Sequence, residues 1–397
     1  MFEKIVLRNS ETSQNISVGQ FAEALLFYQN VHLILDYASL ISLVQSIGLE
    51  KFLSLIRRPN ISAVYCDTSL GTQTINFGVN QQHSFIGFKI TGDQNYGTVK
   101  TKQERFEYIF NVIFGFPRRE ARKLSEAFLK LVPVTSLDSD YYISGGLFKS
   151  AKLDLLDNNF ILSALQKSIV FEEGVPPDYK FNKFEIINNP KEFYIFSDIN
   201  FESINQRRKL IDPNAGELTH AFLINRILEA KADALFASHY GGDFQTSNVV
   251  SQIIQMRYSE ILKRSGISTI EKNEFQNIVV ADCPSIRDVM NSKDRSFDDF
   301  LKLLDKSEKF KEWIQKANPD DKLVSNYIKD VTSQGWGDKL PTRIIRYLFT
   351  NVVSFVEPIT GQGLSLADSF LVDKIIKGWR PNHFVEKNLK PFLKNDA

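Results

Sequence analysis

The sequence predicts a helix-rich fold of the α/β or mixed α+β class, with a small central sheet and a separate, mostly helical C-terminal region. Three observations predict it. Short apolar runs of strand composition, Lys4–Arg8, Val31–Leu35 and Ile61–Cys66, alternate with helical patterns at the N-terminal end. A reversal at Asn188-Asn189-Pro190-Lys191 separates two further strand-like runs, Phe184–Ile187 and Glu192–Ile199. Beyond Phe297 only helical and charged patterns follow.

Taken in order, Val18–Tyr28 places Phe21, Ala24, Leu25 and Tyr28 at helical spacing. The strand Val31–Leu35 ends on Asp36, and the segment Ser39–Ile47 is helical until Gly48, which can supply a left-handed residue. A second short helix, Glu50–Ile56, precedes the strand Ile61–Cys66. Residues 71–97 turn glycine-rich and polar around a strand at Phe85–Ile90. Lys102–Phe114 carries an apolar stripe of Phe106, Ile109, Phe110 and Ile113, and the helical pattern restarts at Pro117 and runs to Leu131. Lys152–Phe171 and Gly216–Ser238 each read as one helix, and Asn248–Arg264 as another, followed by a strand at Asn277–Ala281. Phe297–Asn318 is helical, with opposite charges three or four apart that suit a solvated face.

A chain of 397 residues predicts two or three domains, drawn here at 1–132, 133–296 and 297–397. Lys and Arg (48) nearly cancel Asp and Glu (47), so no global field steers the protein towards a polyanion. The two cysteines, Cys66 and Cys283, are too few for a disulfide framework or a cysteine-rich zinc site. With no signal-peptide pattern in MFEKIVLRNSETSQN, a cytoplasmic location is expected.

Several chemistries find no motif. The five histidines include no HExxH pair, and there is neither a GxSxG elbow nor a GxGxxG loop. Cys66 closes an apolar strand and reads as a core residue. The apolar segment Leu340–Trp379 is divided by Glu357 and Asp368 into runs shorter than the ~20 residues that cross a bilayer, so no transmembrane span is expected. Arg343 and Arg346 beside Tyr347 and Phe349 would suit a membrane surface or a protein partner, and two packed helices joined by PITGQG is the plainer reading. Arg118 and Arg119 oppose the positive end of their helix dipole. Phosphate binding would explain them, as would solvent exposure beside Glu120.

A carboxylate reading remains. An acid at the carboxyl end of a buried strand sits where open α/β sheets place their ligands, which singles out Asp36. The stretch Lys231–Asn248, with Asp233 opening a small-residue helix and Thr246-Ser247-Asn248 beyond it, resembles the late part of PIN-type nucleases. Asp36 matches the first acid of that family in place and context. The resemblance covers some tens of residues, and a PIN domain carrying both acids needs a large insertion between them. It implies metal-dependent hydrolysis of phosphodiesters in single-stranded nucleic acid, with Mg²⁺ or Mn²⁺ held by Asp36 and Asp233 and completed by Asp243 or Asn248. On one unbroken helix Glu217 would lie about 24 Å from Asp233, whereas Glu229 lies one turn away on the same face and is the better co-ligand. Two other roles stay open: Asp36 as a helix cap and Glu229 as a partner of Arg226. The alternative function is a non-catalytic interaction protein that docks a protein partner or membrane surface through its apolar C-terminal segment.

Overall fold

The structure, a computed structural model, describes residues 2–9, 15–77, 80–88, 101–137, 142–188, 192–244, 250, 253–254, 256, 283–316 and 384–394. The chain forms two compact units. One contains Lys4–Ile16 and Val31–Leu262; the other contains Met1–Glu3, Ser17–Asn30 and Lys263–Ala397.

The larger unit holds two sheets. Strands β1 (Lys4–Arg8), β2 (Asn30–Leu35), β3 (Ile61–Cys66), β6 (Val134–Thr135) and β9 (Asp243–Phe244) form a parallel sheet in the order β6-β3-β2-β1-β9. Val31 pairs with Ile61 and Leu35 with Tyr65, Cys66 pairs with Thr135, and Ile5 pairs with Asp243. Parallel strands are covered on both faces, which is why β2 and β3 are nearly continuous apolar runs. Strand order reverses at β1, with β2 on one side and β9 on the other.

Helix α2 (Tyr37–Ile47) follows β2 directly and is capped by Asp36. It ends at Gly48, whose φ of 87° serves both this helix end and the start of α3 (Leu49–Ile56). The two axes bend by 108° there, and among the described residues no single helix is long and apolar enough to cross a membrane.

The second sheet is antiparallel, in the order β4-β5-β8-β7, from the hairpins β4 (Ser69–Phe77) with β5 (Asn80–Phe88) and β7 (Phe184–Asn188) with β8 (Phe193–Ser197). Strand β4, SLGTQTINF, was not predicted. Its Gln73, Thr74, Ile75 and Asn76 are exposed, so no buried face marks it in the sequence. Thr101 opens α4 (Lys102–Tyr108) with a capping box to Glu104. A π-helical turn, Ile109–Ile113, continues α4, and α5 (Arg118–Leu131) follows with Pro117 just outside it. The single helix expected over Lys152–Phe171 is two, α6 (Leu147–Leu155) and α7 (Asn158–Ile169), because the Asp157 carboxylate caps the Phe160 amide and restarts the ladder. Helix α8 (Phe201–Ile211) precedes α9 (His220–Tyr240), which starts four residues later than expected, at the Thr219 cap.

Helix α9 is the centre of this unit. Leu228, Ala232 and Phe236 meet Val6, Ile34 and Val64 of the parallel sheet, while Leu223, Ile224 and Ile227 join the core of Leu165, Ile169, Phe193 and Ile195. Such a helix is buried nearly all round and carries no narrow apolar stripe.

In the other unit α1 (Val18–Phe27) opens with a capping box between Ser17 and Gln20. Gly19 donates to Asn291 at the end of α10 (Ile286–Asn291), and Arg287 pairs with Glu23 at 2.9 Å. The helix expected over Phe297–Asn318 breaks at Ser307 into α11 (Phe297–Lys306) and α12 (Glu308–Lys316). The buried Ser307 hydroxyl donates back to the Leu304 carbonyl. A π-helical turn, Val385–Leu389, leads into α13 (Lys390–Leu393), so the described part of the C-terminal region is helical as predicted. The segment Leu340–Trp379 and the strand expected at Asn277–Ala281 lie outside the described residues, as does all but a few positions of the Asn248–Arg264 helix.

Candidate functional site at the carboxyl edge of the parallel sheet

Parallel strands bring their carboxyl ends to one edge, and the place where strand order reverses opens a crevice there. In this sheet the reversal is at β1. Its last residue is Arg8, followed by Asn9; β2 is followed by Asp36, β3 by Asp67 and Thr68, and β6 by Ser136.

Arg8 binds both acids of α9. Its Nε donates to Asp233 Oδ1 at 2.9 Å and its Nη2 donates to Glu229 Oε2. The four-residue spacing therefore puts the two carboxylates on one helix face, as predicted. All three side chains are shielded, with 11% of Arg8, 7% of Glu229 and 2% of Asp233 exposed. Burial by itself would lower the Arg8 guanidinium, but Glu229 and then Asp233 more than offset it and hold it above its ordinary value. Asp233 Oδ2 is buried with no hydrogen-bond partner.

Asp36 is half-buried at the same edge. One carboxylate oxygen accepts from the Ser39 amide at 2.7 Å, the N-cap bond of α2, and the other accepts from Asn9 Nδ2 at 2.8 Å. Two consecutive residues of the β1 end, Arg8 and Asn9, thus hold Asp233 and Asp36 respectively. At the next strand Asp67 accepts from Arg105 at 2.9 Å and from Thr68 at 3.2 Å, and the Thr68 hydroxyl lies 3.2 Å from that of Ser136. The Cys66 thiol beside them is pushed up to about 12 by burial and donates to the Thr68 carbonyl, so it is a core thiol and no nucleophile.

The remaining sequence-predicted residues stand elsewhere. Asp243 pairs with Ile5, three residues before Arg8, and so lies about 10 Å short of the strand end at ~3.3 Å per residue. Asn248 is outside the described residues. Arg118 and Arg119 are exposed on the first turn of α5. Arg226 pairs with Glu172, which Arg208 also contacts at 3.0 Å. Glu217 precedes α9, is exposed and pairs with Lys209 at 3.0 Å.

Sequence reasoning missed Arg8, Asn9, Asp67 and Arg105. Asp67 had a usable signal, since ISAVYC-Asp67 repeats the pattern of VHLIL-Asp36, an apolar run ending on an acid. The others had none, because their partners lie far away in sequence. Among the described residues no group of three or more His, Cys, Asp or Glu side chains is arranged to hold a metal ion. No family model, no curated protein and no solved structure matches the chain.

Proposed function

We propose that the carboxyl edge of the parallel sheet is the working site, and that it hydrolyses phosphodiesters with the help of a divalent cation. The observation that supports this most directly is the charge gathered where strand order reverses. Asp36 and Asp233 are tied to consecutive residues at the end of β1, Asn9 and Arg8, and Glu229 joins Asp233 on Arg8, so acids predominate there. A crevice of that sign attracts a cation.

The residues fit a hard cation in kind. All the donors are carboxylate oxygens, and Asp233 Oδ2 is buried without a partner. Asp36 and Asp233 would hold Mg²⁺ or Mn²⁺ with Glu229 beside them; such an ion acidifies a water and offsets charge on phosphorus. The protein's own part is positioning. Arg8 keeps the two α9 acids turned towards the end of β1, and Asn9 with the α2 amides fixes the Asp36 rotamer. Phosphate contacts from Arg118 and Arg119 belong to the same proposal.

The test is Mn²⁺-dependent cleavage of single-stranded RNA and DNA by the wild type, Asp36→Asn and Asp233→Asn. Asparagine caps helices as well as aspartate does, so Asp36→Asn keeps α2 and removes the charge. Loss of cleavage in both variants is expected. A wild type with no activity, or an Asp36→Asn variant with full activity, refutes the assignment.

A further inference from the structure

Helices α4 and α5 pack against each other through Phe106, Phe110 and Phe128, and the turn that joins them is apolar on its outside. The π-helical turn Ile109–Ile113 leaves Val112 52% exposed, and Ile113, Phe114 and Phe116 are half-buried around Gly115, whose φ is 74°. The turn is fastened from within. The Phe114 amide donates to the Ile109 carbonyl at 3.2 Å, the Phe116 amide to the Phe110 carbonyl at 3.1 Å, and Asn111 Nδ2 to the Phe116 carbonyl at 2.7 Å. Single π-helical turns of this kind gather at functional sites.

Immediately beyond the turn, at the start of α5, stand Arg118, Arg119, Arg122 and Lys123, all exposed. Positions 118 and 122, and 119 and 123, are four apart, so the cations share one side of the helix, while Ala121, Ser125 and Phe128 are buried on another. Two like-charge pairs at this spacing oppose the helix, and so do cations at the positive end of its dipole. Arg122 has acids to meet, Glu107 at 3.9 Å and Glu126 at 3.4 Å. Among the described residues the side chains of Arg118, Arg119 and Lys123 make no ion pair, not even with the exposed Glu120 between them. The fold does not balance this charge; an anionic surface would.

We propose that this helical hairpin docks on a membrane surface rich in anionic phospholipid, its turn entering the headgroup layer and the basic side of α5 lying along the lipid phosphates. Charge complementarity and the aliphatic turn together name the occupant. A cationic helix face adjoining exposed apolar side chains is the combination that seats a segment at the lipid–water boundary. Each Lys or Arg near an anionic leaflet strengthens binding roughly fivefold, an attraction that fades within a Debye length. A nucleic-acid backbone would use the cations and leave Val112 and Ile113 in water. Docking of this kind does not depend on hydrolysis at the acidic edge, and comparing vesicles with RNA separates the two phosphates that Arg118 and Arg119 could meet.

The test is co-sedimentation of the full chain with phosphatidylcholine vesicles containing about one-third phosphatidylserine and with vesicles of phosphatidylcholine alone, beside filter binding of single-stranded RNA. The wild type should sediment with the anionic vesicles, be released as salt rises, and ignore the neutral ones. Arg119→Gln combined with Lys123→Gln should weaken vesicle binding ~25-fold. Val112→Gln, which changes no charge, should weaken it about fivefold. Lys209→Gln, an exposed cation elsewhere on this unit, should bind as the wild type does. All the substituted side chains are exposed, so each variant should keep the wild-type unfolding temperature. No binding of the wild type to anionic vesicles, or binding that either Val112→Gln or the double variant leaves unchanged, overturns the proposal. RNA binding that falls in the double variant but not in Val112→Gln, without any vesicle binding, overturns it too and gives the basic side of α5 to nucleic acid.

Discussion

Replacing Arg8 with Met should destabilise the larger unit by about 3–5 kcal/mol, the usual cost of removing one partner from a buried ion pair. The estimate rests on burial. Asp233 is 2% and Glu229 7% exposed, so neither carboxylate can recover its hydration when the guanidinium goes. Methionine fills much of the same volume, which confines the loss mainly to charge. The two acids, one helical turn apart, would also repel each other. Urea unfolding at pH 7 followed by far-ultraviolet circular dichroism measures the loss. A triple variant, Arg8→Met with Glu229→Gln and Asp233→Asn, should recover much of the loss. A deficit below about 1 kcal/mol at pH 7, or a triple variant no better than the single one, would show that the α9 acids do not depend on Arg8.

Two further outcomes follow from buried or strained positions. His32, stacked on Tyr240 at 3.8 Å, is lowered to about 3 by burial, then by Lys4 and His239, and His220 is lowered to about 4. Between pH 7 and pH 5 the unfolded chain takes up protons at both sites and the folded chain does not, so acidification should cost roughly 2 kcal/mol at each; His32→Phe should flatten the measured pH dependence by its share, and an unchanged slope would contradict the assignment. Gly48→Ala should lose about 1–2 kcal/mol because its φ of 87° strains any Cβ, although nothing stands within 4 Å of that atom, whereas Gly216→Ala, equally open and without positive φ, should be neutral in the same urea titration.

The strand-to-helix handover at Asp36 was legible because its causes are local. The apolar run Val31–Leu35 needs burial on both faces, Asp36 accepts an amide three residues on, and Gly48 takes the φ at which α2 ends. Both β7 and β8 were legible for a similar reason, since their reversal lies between two apolar runs. Where helices were drawn too long, at Asp157 and Thr219, a side chain that accepts from an amide three residues on had set a helix start, while at Ser307 the hydroxyl donates back to the Leu304 carbonyl at a helix end. A cap outweighs apolar periodicity because it satisfies amides that would otherwise be left open.

By itself, then, the sequence determined the strands and helices of the N-terminal end, the class of fold, and the placing of an acid at the end of β2, all consequences of neighbours in the chain. Tertiary structure alone decided what that acid meets. The strand order that reverses at β1, the 225 positions between Arg8 and Asp233, and the 27 between Asn9 and Asp36 are set by which strands pair and by α9 crossing both cores. Pairing of that range depends on the burial of whole faces, so no local pattern in the residues could announce that Arg8 stands between Glu229 and Asp233.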